Sequence, residues 1–156
     1  MSWLVEFVKE KEGFRSDPYR DAVGVPTIGF GATYYTNGKK VTMKDAPISK
    51  KEATVLLKEH LQDFLDYVIK YGESNGYEWS KNQVGALTSF VFNLGKSRLK
   101  QLTKNGTRSN EEIAQKILLY KKAGGKVLKG LEDRRKEEAN HFNSQQQALS
   151  FDVREN

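Results

Sequence analysis

A chain of 156 residues, 37% hydrophobic and 29% charged with three prolines, is long enough for one compact domain with a packed core, short for two independent ones, and too apolar for global disorder. The absence of cysteine excludes disulfide staples, thiolate metal sites and a cysteine nucleophile, and the two histidines, His60 and His141, lie too far apart in sequence to suggest a zinc set, so neither a metal nor another cofactor is expected. A formal net charge of +6 and a pI near 9.4 call for a polyanionic partner, and nucleic acid, an acidic lipid surface and an acidic cell-wall polymer all qualify.

Residues 1–11 show neither the basic, apolar and small-residue succession of a signal peptide nor the run of about 20 apolar residues of a membrane span. Expression and folding in the cytoplasm, without stable membrane insertion, is therefore the expectation. Ser2 is read as the N-cap of a short helix over 3–12 with Leu4, Phe7 and Val8 on its apolar face and a left-handed stop at Gly13. Between Phe14 and Lys40 the chain changes character: Pro18, Gly24, Pro26, Gly29, Gly31 and Asn37-Gly38 punctuate short runs rich in Val, Ile, Thr, Tyr and Phe, which predicts a small antiparallel sheet with tight turns. Ser49-Lys-Lys-Glu52 is a capping box opening a long helix, placed at about 50–71, whose apolar stripe runs from Ala53 to Ile69 and stops at Gly72.

From Ser80 onward only helices are predicted. Capping boxes at Ser80-Lys-Asn-Gln83 and Ser109-Asn-Glu-Glu112 open apolar-periodic runs that end at Gly95 and at Gly124-Gly125, a shorter helix spans about Leu99 to Lys104, and a last helix runs from Leu131 to about Phe142. The segment 144–156 reads as a polar tail. Trp3, Phe64, Phe90 and Phe92 read as core, His60 as a satisfied residue between lobes, and the Lys50-Lys51, Lys121-Lys122 and Arg134-Arg135-Lys136 clusters as solvated faces.

The chemistry is concentrated between Glu12 and Gly31, where Glu12, Asp21 and Thr27 stand at the spacing Glu-x8-Asp-x5-Thr. Glycoside hydrolysis needs one carboxylic acid to protonate the leaving oxygen and a second group that attacks the sugar or holds the water that does. Glu12 ends a helix, where partial negative charge favours the protonated form a donor needs. Asp21 falls in a turn, where it stays ionised and can hold a water with the Thr27 hydroxyl, an arrangement that favours inversion. Run straight, the intervening chain would separate the two carboxyls by about 30 Å, so the turns at Asp17-Pro18 and Ala22-Val-Gly24 must fold it back. Each residue also has a plainer reading: Glu12 as a solvated helix end, Asp21 as a turn former, Thr27 as a strand residue, Gly29 and Gly31 as marks of a bulge, and Tyr34 with Tyr35 as a hairpin pair rather than a sugar platform.

The pattern E-G-x6-R-D-x2-G-x2-T-I-G-x-G resembles the phage lysozymes of the T4 and P22 endolysin type, glycoside hydrolase family 24. The stretch Gln83 to Gly95 is similar to that family's core helix, and Gly124 to Arg135 with Glu138 and Phe142 to its C-terminal signature, so most of the chain is covered. The resemblance implies an α+β, mainly α, lysozyme-like fold within one domain over 1–156. A small sheet lobe at about 13–48 and a larger helical lobe at about 80–143, joined by the long helix and including the N-terminal one, would hold the glycan in the cleft between them. It implies a muramidase that cuts the β-1,4 bond after N-acetylmuramic acid in bacterial peptidoglycan, leading to host lysis, with Glu12 as acid and Asp21 and Thr27 positioning water. Gly29, Gly31, Tyr34, Asn93 and Arg134 are the substrate-binding set, Arg134 being the best match, beside Arg135, for an arginine that faces the catalytic glutamate in the family. The longer Tyr34 to Ile48 connection and the polar tail depart from the family pattern. Some relatives carry an N-terminal signal-arrest helix; its absence here implies release to the wall through a holin-type pore. A monomer is expected. Three other functions compete: a lytic transglycosylase, against which the water-holding pair argues; an idle wall-binding module; and a basic nucleic-acid binder, for which no zinc, helix-turn-helix or aromatic sheet motif is found.

Overall fold

The computed structural model describes residues 2–144, so the polar tail beyond Ser144 lies outside the described residues. The chain forms two compact units, one over Ser2–Asp63 and the other from Phe64 onward.

The first unit opens with α1 (Ser2–Glu12), which buries Leu4, Phe7 and Val8 at helical spacing and begins on Ser2 itself, one residue earlier than the cap assignment. Gly13 ends it at φ +73°, donating its N–H to the Lys9 carbonyl at 3.0 Å. The strands β1 (Arg15–Arg20) and β2 (Pro26–Gly29) pair antiparallel, with Tyr19 opposite Thr27 and Arg20 opposite Pro26. The register slips between Arg15 and Tyr19, where Pro18 has no N–H to give to a ladder. Beyond β2 the chain continues as bridges between Ile28 and Ala32 and between Tyr34 and Lys40, closed by a turn whose Gly38 sits at φ +83°.

A small core of Ile28, Ala32, Val41 and Leu56, flanked by Tyr35 and Ile48, holds this part together. The long connection that follows is pinned by Asp45, which accepts hydrogen bonds from the Tyr35 hydroxyl (2.6 Å) and from the Thr42 hydroxyl (2.6 Å) and amide (2.9 Å). Those donors hold the Asp45 carboxyl below its ordinary range, while burial and the same bond push the Tyr35 hydroxyl up to about 12. The helix α1, expected in the helical lobe, lies instead within the unit of the hairpins, where Phe14 meets Phe30 at 5.5 Å between ring centroids and Lys9 lies over the Phe30 ring.

The helix α2 (Lys50–Ser74) opens on the Ser49/Glu52 capping box, with both reciprocal bonds formed at 2.9 and 3.0 Å, and continues into the second unit. It runs past Gly72, the predicted stop. Gly72 serves packing instead: a Cβ there would lie 2.6 Å from the Trp79 ring. That ring cannot retreat easily, because it stacks on Tyr77 with centroids 4.6 Å apart and its indole N–H donates to Asn110 Oδ1 at 2.8 Å. Gly72→Ala, which on helix propensity alone would stabilise by about 1 kcal/mol, is therefore expected to destabilise by about 1–3 kcal/mol through overpacking, read as a lower urea midpoint with an altered tryptophan fluorescence.

In the second unit α3 (Lys81–Leu94) buries eight consecutive residues, Val84 to Val91, so no face of it is left to solvent there and it is the central helix of its unit. Around it pack α4 (Ser97–Thr103), α5 (Asn110–Lys116) and α6 (Lys129–Asn143), with Leu87, Phe90, Leu99, Leu102, Ile113, Ile117 and Phe142 as the core. The Ser80 and Ser109 capping boxes are both formed and Gly95 caps α3. Two expectations are corrected. The helix opened at Ser109 does not reach Gly124-Gly125: it ends at Lys116, tightens into a 3-10 turn at Ile117–Leu119, and gives way to a hairpin of β3 (Lys122–Ala123) and β4 (Lys126–Val127). Both glycines have positive φ (+58° and +79°), the requirement of a two-residue hairpin turn. Nor is Arg134-Arg135 a solvated face, since both side chains are buried in α6 with Glu138. Among the described residues no helix is long and apolar enough to cross a membrane.

Candidate active site

The hairpin brings Asp21 and Thr27 to one backbone anchor. Asp21 donates its N–H to the Val25 carbonyl (3.0 Å) and accepts the Val25 amide on Oδ1 (2.9 Å), while the Thr27 hydroxyl donates to the same Val25 carbonyl (2.8 Å). Asp21 Oδ1 also accepts the Val23 amide at 3.0 Å, as an Asx turn does. The turn thus consumes Oδ1 and leaves Oδ2 as an acceptor. Thr27, buried at 2% exposure, has its proton committed to Val25, so its oxygen is left to accept. Two acceptors fixed through one residue, Val25, can take both protons of a water and leave its lone pair for attack.

Glu12 is exposed at the end of α1. A Cβ at Gly31, whose φ is +90°, would lie 3.1 Å from Glu12 Oε1, so the glycine admits this carboxylate to the end of the β2 segment. Tyr19, opposite Thr27, links the parts: both Glu12 and Asp21 act electrostatically on its hydroxyl, which burial pushes up, while Arg15 lies 4.2 Å from its ring centroid and pulls the hydroxyl down. Tyr19 and Arg15 were not singled out from sequence, although the period-two alternation of a strand would have set them on the face they share. Val23, at the tip of the turn, is 83% exposed.

The other candidate residues divide. Gly29 is buried, and a Cβ there would meet Ala53 Cβ at 3.0 Å and Ile48 Cδ1 at 3.3 Å, so the close approach it permits is that of α2 rather than of a sugar. Tyr34 is 48% exposed and its ring lies 4.4 Å from that of His60. Asn93 and Arg134 belong to the second unit and share one buried network there. Arg134 donates to the Ser89 carbonyl (3.3 Å) and hydroxyl (3.2 Å) and to Glu138 Oε2 (3.3 Å), and Asn93 Oδ1 accepts from Arg135 Nη2 (3.0 Å).

His60 departs from the expected satisfied residue. Its backbone bond at Tyr34 occupies one side of the ring, but Nε2 is buried with no partner. Burial lowers its pKa below the ordinary 6.5, against an opposing pull from Glu59. A depressed folded value means the stabilising contribution is present above the unfolded value of 6.5 and lost as pH falls through the folded one. We expect the melting temperature to decline as pH is lowered from 7.5 to below 6, and His60→Gln to flatten that decline. Among the described residues no group of three or more His, Asp or Glu side chains is placed to hold a metal ion.

Residues 9–138 match the family model described as phage lysozyme. The chain is 34% identical over 126 residues to the endolysin of Salmonella phage P22, covering 75% of this chain and 80% of that one. A crystal structure of a P22 lysozyme mutant superposes with a TM-score of 0.77 at 32% identity, over 92% of this chain and 97% of that chain. The endolysin of Bacillus phage B103 is 32% identical over 145 residues, 88% of this chain, which spans about half (51%) of that longer protein. The muramidase domain of SpmX from Asticaccaulis excentricus aligns with a TM-score of 0.75 at 25% identity over 93% of this chain and 97% of that chain.

Proposed function

The chain belongs to the phage lysozyme family, and from that premise we propose that it is an inverting muramidase whose acid is Glu12 and whose water is held by Asp21 and Thr27. Its substrate is bacterial peptidoglycan, and the bond cut is the β-1,4 linkage from N-acetylmuramic acid to N-acetylglucosamine. Glu12 donates a proton to the leaving glycosidic oxygen. The water, its protons directed to Asp21 Oδ2 and Thr27 Oγ1, attacks the anomeric carbon from the opposite side and passes a proton to Asp21. The observation that carries this reading is the shared Val25 anchor, which commits the Thr27 proton and one Asp21 oxygen and leaves two acceptors and no donor for the water.

Gly31 and Tyr34 in the first unit complete the substrate contacts of this reading. The enzyme acts as a monomer, needs no nucleic acid, and passes from the host cytoplasm to the wall through a holin-type pore.

The test is product analysis on purified peptidoglycan. Mass spectrometry should find hydrolysed fragments with reducing N-acetylmuramic acid ends, and proton NMR during the first turnovers should find the α-anomer ahead of mutarotation. Anhydro ends would replace hydrolysis by transglycosylation, and initial β-anomer would replace the held water by a covalent intermediate.

A further inference from the structure

A second site of different chemistry lies in the second unit. Arg98, Gln101, Arg108, Lys116, Leu119 and Tyr120 line an open pocket of about 360 Å³ between the start of α4, the segment before α5 and the 3-10 turn after it. Three of the six lining residues are cations and none is acidic. Arg108 is half-buried and held in place by donating Nη1 to the Leu102 carbonyl at 3.0 Å, and Arg98 donates Nη1 to Gln101 Oε1 at 3.0 Å. Each guanidinium has five N–H donors, so most remain available. Lys116 makes no ion pair among the described residues. The nearby carboxylate of Glu112, on which Arg108 and Lys116 act electrostatically, makes no ion pair with either and is held in its capping box, accepting the Ser109 amide at 2.9 Å. Tyr120 forms a rigid wall, its ring edge-on to the buried Phe90 at 5.0 Å. Burial pushes its hydroxyl up while the positive charges of Arg108 and Arg98, which line the same pocket, pull it down.

We propose that this pocket binds a phosphate group, as a free ion or as an ester, through Arg98, Arg108 and Lys116 with the Tyr120 hydroxyl as a further donor. Like charges converging on one opening whose lining holds no carboxylate are matched by an anion, and the number of donors selects which kind. A carboxylate offers two oxygens and is satisfied by one bidentate guanidinium, whereas a phosphate presents three or four oxygens to two forks, an ammonium and a phenol. Leu119, 63% exposed at the rim, beside Leu118 at 39%, gives an apolar margin suited to a phosphate carried on an organic chain. The proposal is independent of the catalytic reading, since none of its residues belongs to that set.

The test uses the full chain labelled with nitrogen-15 and three probes: inorganic phosphate, poly(glycerol phosphate), and phosphatidylglycerol vesicles set against phosphatidylcholine vesicles. Saturable shifts at Arg98, Lys116, Leu119 and Tyr120 that chloride at equal ionic strength does not produce are expected for phosphate. Tighter binding of the polymer assigns the site to a wall polyphosphate, tighter binding of the anionic vesicles to a lipid headgroup, and neither to the free ion. The double variant Arg98→Gln/Lys116→Gln, both accessible side chains, should weaken binding by about tenfold or more through two lost charge-assisted bonds. Removing the same charge elsewhere, by Lys50→Gln/Lys51→Gln, should change it by no more than about twofold because distant surface charges are screened. Equal weakening in the two double variants, shifts spread over every basic surface, or no saturable shift with any probe would overturn the site. The shift map of the unmodified protein decides the matter even if a variant folds poorly.

Discussion

Glu12→Gln is expected to cut peptidoglycan hydrolysis by about 10²- to 10⁴-fold, the range that a positioned general acid contributes. The substitution keeps the size and planar shape of the side chain beside Gly31 and removes only the proton that the leaving oxygen needs. Because proton donation is made in the transition state and not in the bound ground state, the loss should fall on kcat, with KM nearly unchanged. Turbidity clearance of purified walls, followed over a substrate series, separates the two. Activity within about tenfold of wild type would remove Glu12 from the role of acid, whatever the products. Asp21 cannot be tested as simply: its Oδ1 carries the turn through the Val23 and Val25 amides, so a change there moves the Thr27 anchor as well, and activity and geometry would be lost together.

The largest stability effect is expected at Glu138. This carboxylate is fully buried in α6 and contacts Arg135 Nε at 2.6 Å, Arg135 Nη2 at 2.9 Å, Arg134 Nε at 3.3 Å and the Ser89 hydroxyl at 2.5 Å. Burial pushes the Glu138 pKa up, and the two guanidiniums and the Ser89 hydroxyl pull it back; with two cations in contact we take it as the ionised partner of the cluster. Glu138→Gln leaves two buried guanidiniums without that carboxylate, a loss of about 3–5 kcal/mol out of the roughly 5–15 kcal/mol that holds a domain of this kind folded. Urea unfolding should show the midpoint fall by the corresponding amount. Removing one cation together with the carboxylate is different: Arg135→Met/Glu138→Met, which replaces that ion pair by apolar groups beside Phe90 and leaves Arg134 in place, should lose less than the sum of its single variants. If the double variant is as unstable as that sum, the two residues act independently and the cluster is not the unit described.

The parts of this molecule that were legible beforehand are those decided within a few residues of chain. Ser49, Ser80 and Ser109 each close a capping box with the residue three positions on, and Gly13 and Gly95 stop their helices with positive φ, because such bonds and dihedrals depend on immediate neighbours alone. The turn residues Pro18, Gly24 and Pro26 likewise marked the hairpin that gathers Asp21 and Thr27, and Gly124-Gly125 carried a hairpin signal that the apolar run before it masked. What only the packed structure decided is what each side chain is set against. Gly72 reads as a helix stop until Trp79 lies on it, Gly29 as a place for sugar until Ala53 fills it, and Arg134 and Arg135 as a solvated face until Ser89, Asn93 and Glu138 surround them. Apart from Glu138, which lies 3 and 4 positions from the two arginines, those partners come from 7 to 45 positions away, and burial, which turns a surface arginine into half of an ion pair, is a property of the tertiary contact and not of the local chain.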